Sequence, residues 1–257
     1  MEAALLSIWY DLEQDHEEQY LAWLHNLCLP ELQARAGCAW VAHYRNVASD
    51  HMRDMPVTKL SARSAPDGAG SQYALLIGGT SLATLLSTGL LGDGGPTMAL
   101  AQDIRAKIRS PQSALFSIGP HVNGPAACVR TEGTTPPACV QMGMLRMKSV
   151  ASEQDLLRWY FHTRLPLMTR MEGVIGARLL SCVAGWAKYG VLYEFESLEA
   201  RNAGFEPQEL AIGNVLSGRD TKTRLAAEEY ANPIPIDQLI HPPGSPIVGV
   251  RIWPPLS

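Results

Sequence analysis

Two stretches of this chain follow one frame, 136 positions apart: Trp23 to Gly37 and Trp159 to Gly173 both read W-x6-P-x6-G, with Leu29-Pro30 matching Leu165-Pro166. Each is preceded by a strand-like apolar run, Leu5 to Tyr10 and Met142 to Met147. Each is followed by another, Cys38 to Tyr44 and Val174 to Leu180. A repeated strand–helix–strand unit constrains the fold more than any short motif.

The helical reading rests on apolar residues at i, i+3, i+4 and i+7. These are Tyr20, Trp23, Leu24 and Leu27 in the first stretch, and Leu156, Trp159, Tyr160 and the less apolar Thr163 in the second. Asp15 and Ser152 are expected N-caps, with Glu18 and Asp155 three positions on. Pro30 and Pro166 are expected to end or kink the helices, because proline has no N–H and crowds the preceding turn. Gly37 and Gly173 suit the bend into the next strand. Third strands match at Tyr73–Ile77 and Tyr189–Tyr193, each followed by a helical stretch, Leu82–Leu86 and Leu198 to about Ala203. Closing strands are expected at Ala114–Ile118 and Ile247–Trp253. The fold class is therefore α+β: two ferredoxin-like β-α-β-β-α-β repeats forming an α+β barrel. The expected organisation is a first domain at 1–118, a turn-rich linker at 119–139, and a second domain with a proline-rich tail at 140–257. A long loop is expected over Ala48–Gly70, and a helix over Thr97–Ile108 after the Gly92–Pro96 loop.

The order of strand, Trp-bearing helix, Leu-Pro and Gly, followed by Tyr-x-x-x-Tyr-Glu-Phe-Glu-Ser-Leu-Glu-Ala over Tyr189–Ala200, resembles the EthD-like branch of the dimeric α+β barrel superfamily. The resemblance covers Met142–Ala203 well and Leu5–Leu86 less well. It implies that two units pair into one barrel, here within one chain. Relatives often carry a His two residues before the proline. This chain has Cys28 and Arg164 there, so a mechanism resting on that His does not transfer.

Net charge is -4 without a basic block, which argues against nucleic acid and anionic membranes as partners. No apolar run approaches the ~20 residues of a membrane span. The start lacks a basic, then apolar, leader, and the five Cys are odd in number with no C-x-x-C spacing. A cytoplasmic protein with reduced thiols is expected. No Cys/His cluster has ligand spacing, so no metal is expected.

Strand alternation sorts the candidate chemistry. Gly176, Arg178 and Leu180 should face the barrel, and Ile175, Ala177 and Leu179 the helix. Arg178, Arg146 and Glu194 or Lys188 are expected to share the enclosed space, where an Arg178–Glu194 pair satisfies buried charge and orients a carbonyl or anionic substrate. His162, one turn beyond Trp159, is the expected proton carrier. Arg178 and Arg146 would hold a developing oxyanion and Tyr193 or Glu194 would position the group, with Tyr160 and Arg164 as further substrate-binding residues. In the first half Trp40 and Tyr44 share one face and His43 takes the other, as possible pocket-lining groups. Together with the resemblance, this implies a small-molecule enzyme without cofactor: acid/base lyase, isomerase or cyclase chemistry on a hydrophobic carbonyl or aromatic compound, in a homo-oligomer, a dimer. The resemblance leaves two alternatives. One is oxidative, a cofactor-free monooxygenase or a haem enzyme with His162 as axial ligand. The other is a non-catalytic ligand-binding or assembly protein.

Overall fold

A computed structural model of the chain describes residues 2–47, 70–87, 108–130, 135–209, 238–242 and 244–256. The strands are β1 (Ala4–Leu12), β2 (Cys38–Asn46), β3 (Tyr73–Gly79), β4 (Ile108–Asn123), β5 (Cys139–Met147), β6 (Val174–Gly185), β7 (Tyr189–Phe195), β8 (Leu239–Ile240) and β9 (Ile247–Trp253). Eight of them close a ring in the order β7-β6-β4-β1-β3-β2-β9-β5 and back to β7. Every pairing in the ring is antiparallel. Closure removes the unpaired edges that an open sheet exposes. The first half contributes β4-β1-β3-β2 and the second β9-β5-β7-β6; the joints are β4–β6 and β2–β9.

Period-two alternation divides the side chains into three apolar layers. Leu5, Trp9, Trp40, Tyr44, Phe116, Met142 and Leu192 fill the barrel. Outside it, Leu6, Tyr10, Val41, Tyr73 and Ile77 meet Tyr20, Leu24, Leu29 and Leu32 of the first helix. Ala177, Leu179, Val191 and Tyr193 meet Leu156, Trp159, Met168 and Phe205 of the second-half helices. Leu29 is fully buried, and such a side chain contributes about 1.5–3 kcal/mol through its removal from water.

The prolines widen the helices instead of ending them. Each helix passes through a π-turn, Leu24–Cys28 and Tyr160–Arg164, and then continues as Leu29–Gln33 and Leu165–Met168. Leu29 N–H reaches back to Leu24 O, and Leu165 N–H to Tyr160 O. A proline cannot donate the bond to residue i−4, and its ring crowds that carbonyl, so one extra residue per turn accommodates it. The helix starts also differ from expectation. The second is capped by Ser149, whose hydroxyl accepts from Ser152 N–H, while Asp155 pairs with Arg158. The first begins at Glu17 behind a short 3-10 turn, with no side-chain cap. Gly37 and Gly173 take φ of +83° and +76°, a region open chiefly to glycine.

The stretch 119–123, expected to open the linker, belongs to β4: His121 registers with Arg178 and Asn123 with Gly176. The helix expected to stop near Ala203 passes through a π-turn, Arg201–Phe205, and runs to residue 209. Ile108 begins β4 instead of ending a helix. The rest of Thr97–Ile108, the Gly92–Pro96 loop and nearly all of Ala48–Gly70 lie outside the described residues. Among the described residues no helix is long and apolar enough to cross a membrane.

Candidate active site

Three polar side chains meet between the first helix and the sheet, two of them buried and the third, His25, half-buried. Tyr10 comes from the outer face of β1 and His43 from the outer face of β2; both are essentially inaccessible to solvent. His25 comes from the π-turn, where the widened backbone turns its ring toward the sheet. Tyr10 Oη lies 2.7 Å from His43 Nε2, and His43 Nδ1 lies 2.7 Å from His25 Nε2. The His43 ring stacks on Tyr10 (centroids 5.8 Å apart) and on Tyr73 (5.2 Å), and meets His25 edge-on at 5.1 Å.

Outward from His25 lies an open cleft of about 530 Å³, lined by Gln14, Glu17, Glu18, Leu21, His25 and Arg45, among others. Its wall is a second network. Tyr73 Oη donates to Glu17, and Arg45 donates to Tyr73 Oη at 3.1 Å and to Glu17 at 2.9 Å. These contacts engage the Glu17 carboxylate on the cleft wall, and the His25 imidazole stands in the same cleft.

Burial sets the protonation states. It holds His43 well below the usual imidazole value, and the positive charge available on His25 and Arg45 adds to this. Burial also lowers His25. Tyr10 is pushed well above the usual phenol value by burial and by Tyr20. Tyr73 is raised to about 12 by burial and then by its bond to Glu17. Both imidazoles are therefore neutral at pH 7, and two proton orders satisfy the chain. Either Tyr10 donates to His43 and His43 to His25, or His25 donates to His43 and His43 to Tyr10. The second order leaves the outward Nδ1 of His25 as a free base; the first makes it an N–H donor. Passing protons along the chain interconverts them, which suits a group that takes a proton and returns it.

The structure separates the other candidates. His162 is exposed on the outer side of its helix, while Arg178 and Glu194 lie inside the barrel, joined at 3.1 Å. The expected convergence of His162 and Arg178 on one cavity is not found, because the sheet stands between them. Nor do the residues around His162 fit a haem: it lines neither described cavity, and the layer beneath its helix is filled by Leu156, Met168, Tyr193 and Phe205. Arg146 does not join Arg178; its guanidinium stacks 4.1 Å from the centroid of Trp186, in the turn at the opposite end of β7 from Glu194. Tyr160, Arg164 and Tyr193 are buried on the helix side. There Arg164 donates to Tyr193 Oη at 2.9 Å, pairs with Glu209 and lies over the Phe205 ring at 4.6 Å. That arrangement ties two helices to the sheet. Trp40 and Tyr44 point into the barrel, and Tyr44 Oη donates to Pro137 O at 3.1 Å. His43 takes the opposite face, as alternation requires, and so meets the cleft network. Tyr10, His25, Glu17 and Tyr73 carried no motif. The one available signal for His25 was its place two residues after Trp23, inside the turn that Pro30 disturbs.

No family model and no curated protein sequence matches the chain. Similarity is found at the level of fold. A candidate monooxygenase from Fusobacterium nucleatum superposes with a TM-score of 0.55 at 7% identity, over 97% of this chain and 93% of that one. An anthrone oxidase-like protein gives 0.55 at 9% identity, over 98% and 91%. A candidate chlorite dismutase gives 0.51 at 9% identity, over 98% and 96%. What is shared is the fold, a closed antiparallel β-barrel with helices packed outside it.

Proposed function

We propose that this protein is a small-molecule enzyme working by acid/base chemistry without a cofactor, with His25 as the proton carrier and His43 and Tyr10 as the groups that set its tautomer. The substrate class is a small carbonyl compound or phenol that also carries polar groups, matching the Gln14, Glu18, Asn26 and Arg45 side chains of the cleft above His25. The reaction begins with removal of a proton from carbon next to the carbonyl, or from the phenol, by Nδ1 of His25. Return of the proton to another position makes the net change an isomerisation, or a ring closure or elimination where the anion attacks or expels a group.

The observation that carries this reading is an asymmetry. We read the two halves as copies of one ferredoxin-like unit near the EthD-like branch, a reading supported by the shared W-x6-P-x6-G frame and the same strand order in each half. Strand register then pairs positions: Tyr10 faces Tyr73 as Leu145 faces Tyr189, and His43 faces Leu75 as Leu179 faces Val191. The frame matches His25 to Phe161. The second half thus places Leu145 and Leu179 in its helix-on-sheet layer and leaves Phe161 exposed, while the first places Tyr10 and His43 there with half-buried His25 against them. Burying polar groups is costly where apolar ones serve; the second half also buries a polar set, Arg164 with Tyr193, but Glu209 pairs its charge, whereas the imidazole pair of the first half opens on a cleft at His25, and that difference supports a chemical role.

Two of the fold neighbours bear oxygenase or oxidase names. Deprotonating a phenol or enol also yields the electron-rich anion from which reaction with dioxygen starts, so the same base serves that second reading. A panel of aryl ketones and polyphenols, followed by product analysis and oxygen uptake, separates the two. In either case His25→Ala is expected to lower turnover by ~10²–10⁴, and the rate of the unaltered enzyme to rise with pH through a limb below about 6.5 that the variant lacks, since His25 must be neutral. An active His25→Ala enzyme would sink the assignment.

A further inference from the structure

Removing a proton from carbon beside a carbonyl puts negative charge on the carbonyl oxygen, and removing one from a phenol leaves it on the phenol oxygen. A base alone leaves that charge unmet. A donor already fixed beside the base meets it as it develops and so lowers the barrier. The His25 cleft contains such a donor.

Arg45 stands two residues after His43 on β2. The two side chains therefore leave the same outer face of the strand, about 7 Å apart along it. His25 lies 2.7 Å from His43, and His25 and Arg45 both line the cleft. The guanidinium is anchored through one nitrogen. Its Nη2 donates to Glu17 at 2.9 Å and to Tyr73 Oη at 3.1 Å, and its carbon lies 5.5 Å from the centroid of the Tyr73 ring. Among the described residues these are the polar contacts of Arg45, so the N–H groups of Nε and Nη1 remain for a molecule in the cleft. A guanidinium does not lose its proton in a protein. It donates before and after the substrate is deprotonated, and it does not compete with His25 as base.

The second half is built otherwise at this place. Register sets Arg45 opposite Tyr73 and Ser181 opposite Tyr189, so Ser181 holds the position of Arg45. The repeated frame matches Glu17 to Glu153, and Glu153 pairs with the half-exposed Lys188 of the hairpin. The arginine thus stands in the half that carries the imidazole pair.

We propose that Arg45 takes the oxyanion formed when His25 removes a proton, with Nε and Nη1 on the substrate oxygen and with Glu17 and Tyr73 as positioning residues that aim the guanidinium. This rests on the reading of His25 as the base and adds the substrate's orientation. Its oxygen lies on the β2 side of the cleft, and the proton to be removed lies on the helix side.

The test uses 4-nitrophenol, whose anion absorbs in the visible where the neutral phenol does not. At a pH where the free phenol is already ionised, His25 has no proton to take, and binding of the anion reads Arg45 alone. The full chain is expected to bind the anion saturably. Arg45→Gln is expected to weaken it by about tenfold or more, the worth of a charge-assisted hydrogen bond. Arg45→Lys keeps the charge without the planar fork and is expected to fall between. At a lower pH, where the free phenol is neutral, the unaltered chain is expected to ionise the bound phenol, and His25→Ala is not. The two readings fail separately. No saturable binding of the anion, or equal binding by folded Arg45→Gln, overturns the role of Arg45 whatever His25 does. Dependence on Arg45 without ionisation at the lower pH supports the oxyanion site and removes His25 as its base. Should Arg45→Gln not fold, contacts of the anion bound to the unaltered chain decide by NMR: contacts to the Arg45 and Leu21 side chains support the site, and contacts outside the cleft overturn it.

Discussion

His43 bonds two groups that have no other reason to meet: a phenol on β1 and an imidazole on the helix. Replacing it with leucine, the residue that stands at the matching place in the second half, should show what the network costs. His43→Leu takes from Tyr10 Oη one of its two partners, leaving Tyr20, and from His25 Nε2 its bond to the sheet, and is expected to lower stability by ~1–3 kcal/mol in denaturant unfolding, the usual range for a lost buried hydrogen bond. Removing the phenol hydroxyl as well, in His43→Leu/Tyr10→Phe, should cost less than the two single changes added together. Additive costs would mean that the three groups are not one unit. pH gives an independent check. Imidazoles held below their unfolded value bind fewer protons folded than unfolded. Their contribution to stability is therefore complete above about pH 6.5 and is lost as the pH falls toward the folded values. The unaltered protein should lose stability over that acid range, and His43→Leu should lose less of it. Some loss will remain, because burial also lowers His241, to about 4. At this scale the sequence was partly legible. Alternation along Cys38–Tyr44 put His43 on the face opposite Trp40 and Tyr44. It did not reveal Tyr10 or His25 as partners, because a hydrogen bond across 18 or 33 positions leaves no periodic trace.

At the scale of elements, the pairing of proline with a π-turn is what brings His25 to His43. A regular α-helix through residues 24–28 would rotate everything before Pro30 by about 100° per residue, following the 3.6-residue repeat, and would carry His25 off the sheet-facing side. Pro30→Ala restores the missing N–H and removes the ring from the carbonyl four residues back. It is expected to leave the helix at least as stable, yet to shift the His25 titration upward toward its unperturbed value and to depress turnover. The matched change Pro166→Ala should leave turnover unaltered, because Phe161 has no such partner. An unchanged His25 titration in Pro30→Ala would show that the π-turn is not what positions it. The repeated frame foretold two helices, their glycine exits and the strands around them. What it could not foretell was whether each proline breaks, kinks or widens its helix, since that depends on packing against the sheet: Leu29 and Leu165 are both buried just before the prolines, which favours continuation over a break.

At the scale of the whole molecule, closure within one chain permits the two halves to differ. A barrel made from two identical units must carry the same pair at both sides of each end. Here Trp40/Gly78 and Gly176/Glu194 face one another, and Tyr10–His43–His25 has an apolar counterpart in Leu145, Leu179 and Phe161. The long-range joints were the part least visible in sequence: β4 was read as ending near Ile118, although its residues through Asn123 pair with β6. Those joints set the last prediction. Each half exposes two edges if separated, β4 and β2 in the first and β6 and β9 in the second, and all four are paired across the halves in the intact chain. Unpaired edges invite association, and a separated second half would also lose Glu2 and Arg130, which pair with Arg178 and Glu194. Isolated Glu194 and Arg178 would then sit at an open mouth with two of these four charged groups gone. Fragments 1–130 and 131–257 made singly are therefore expected to aggregate or self-associate in size-exclusion chromatography, and to yield a soluble one-to-one complex with native-like circular dichroism when co-expressed. Either fragment running alone as a folded monomer, with a cooperative melt, would show that the halves are independent domains and that the barrel joints are not what holds them.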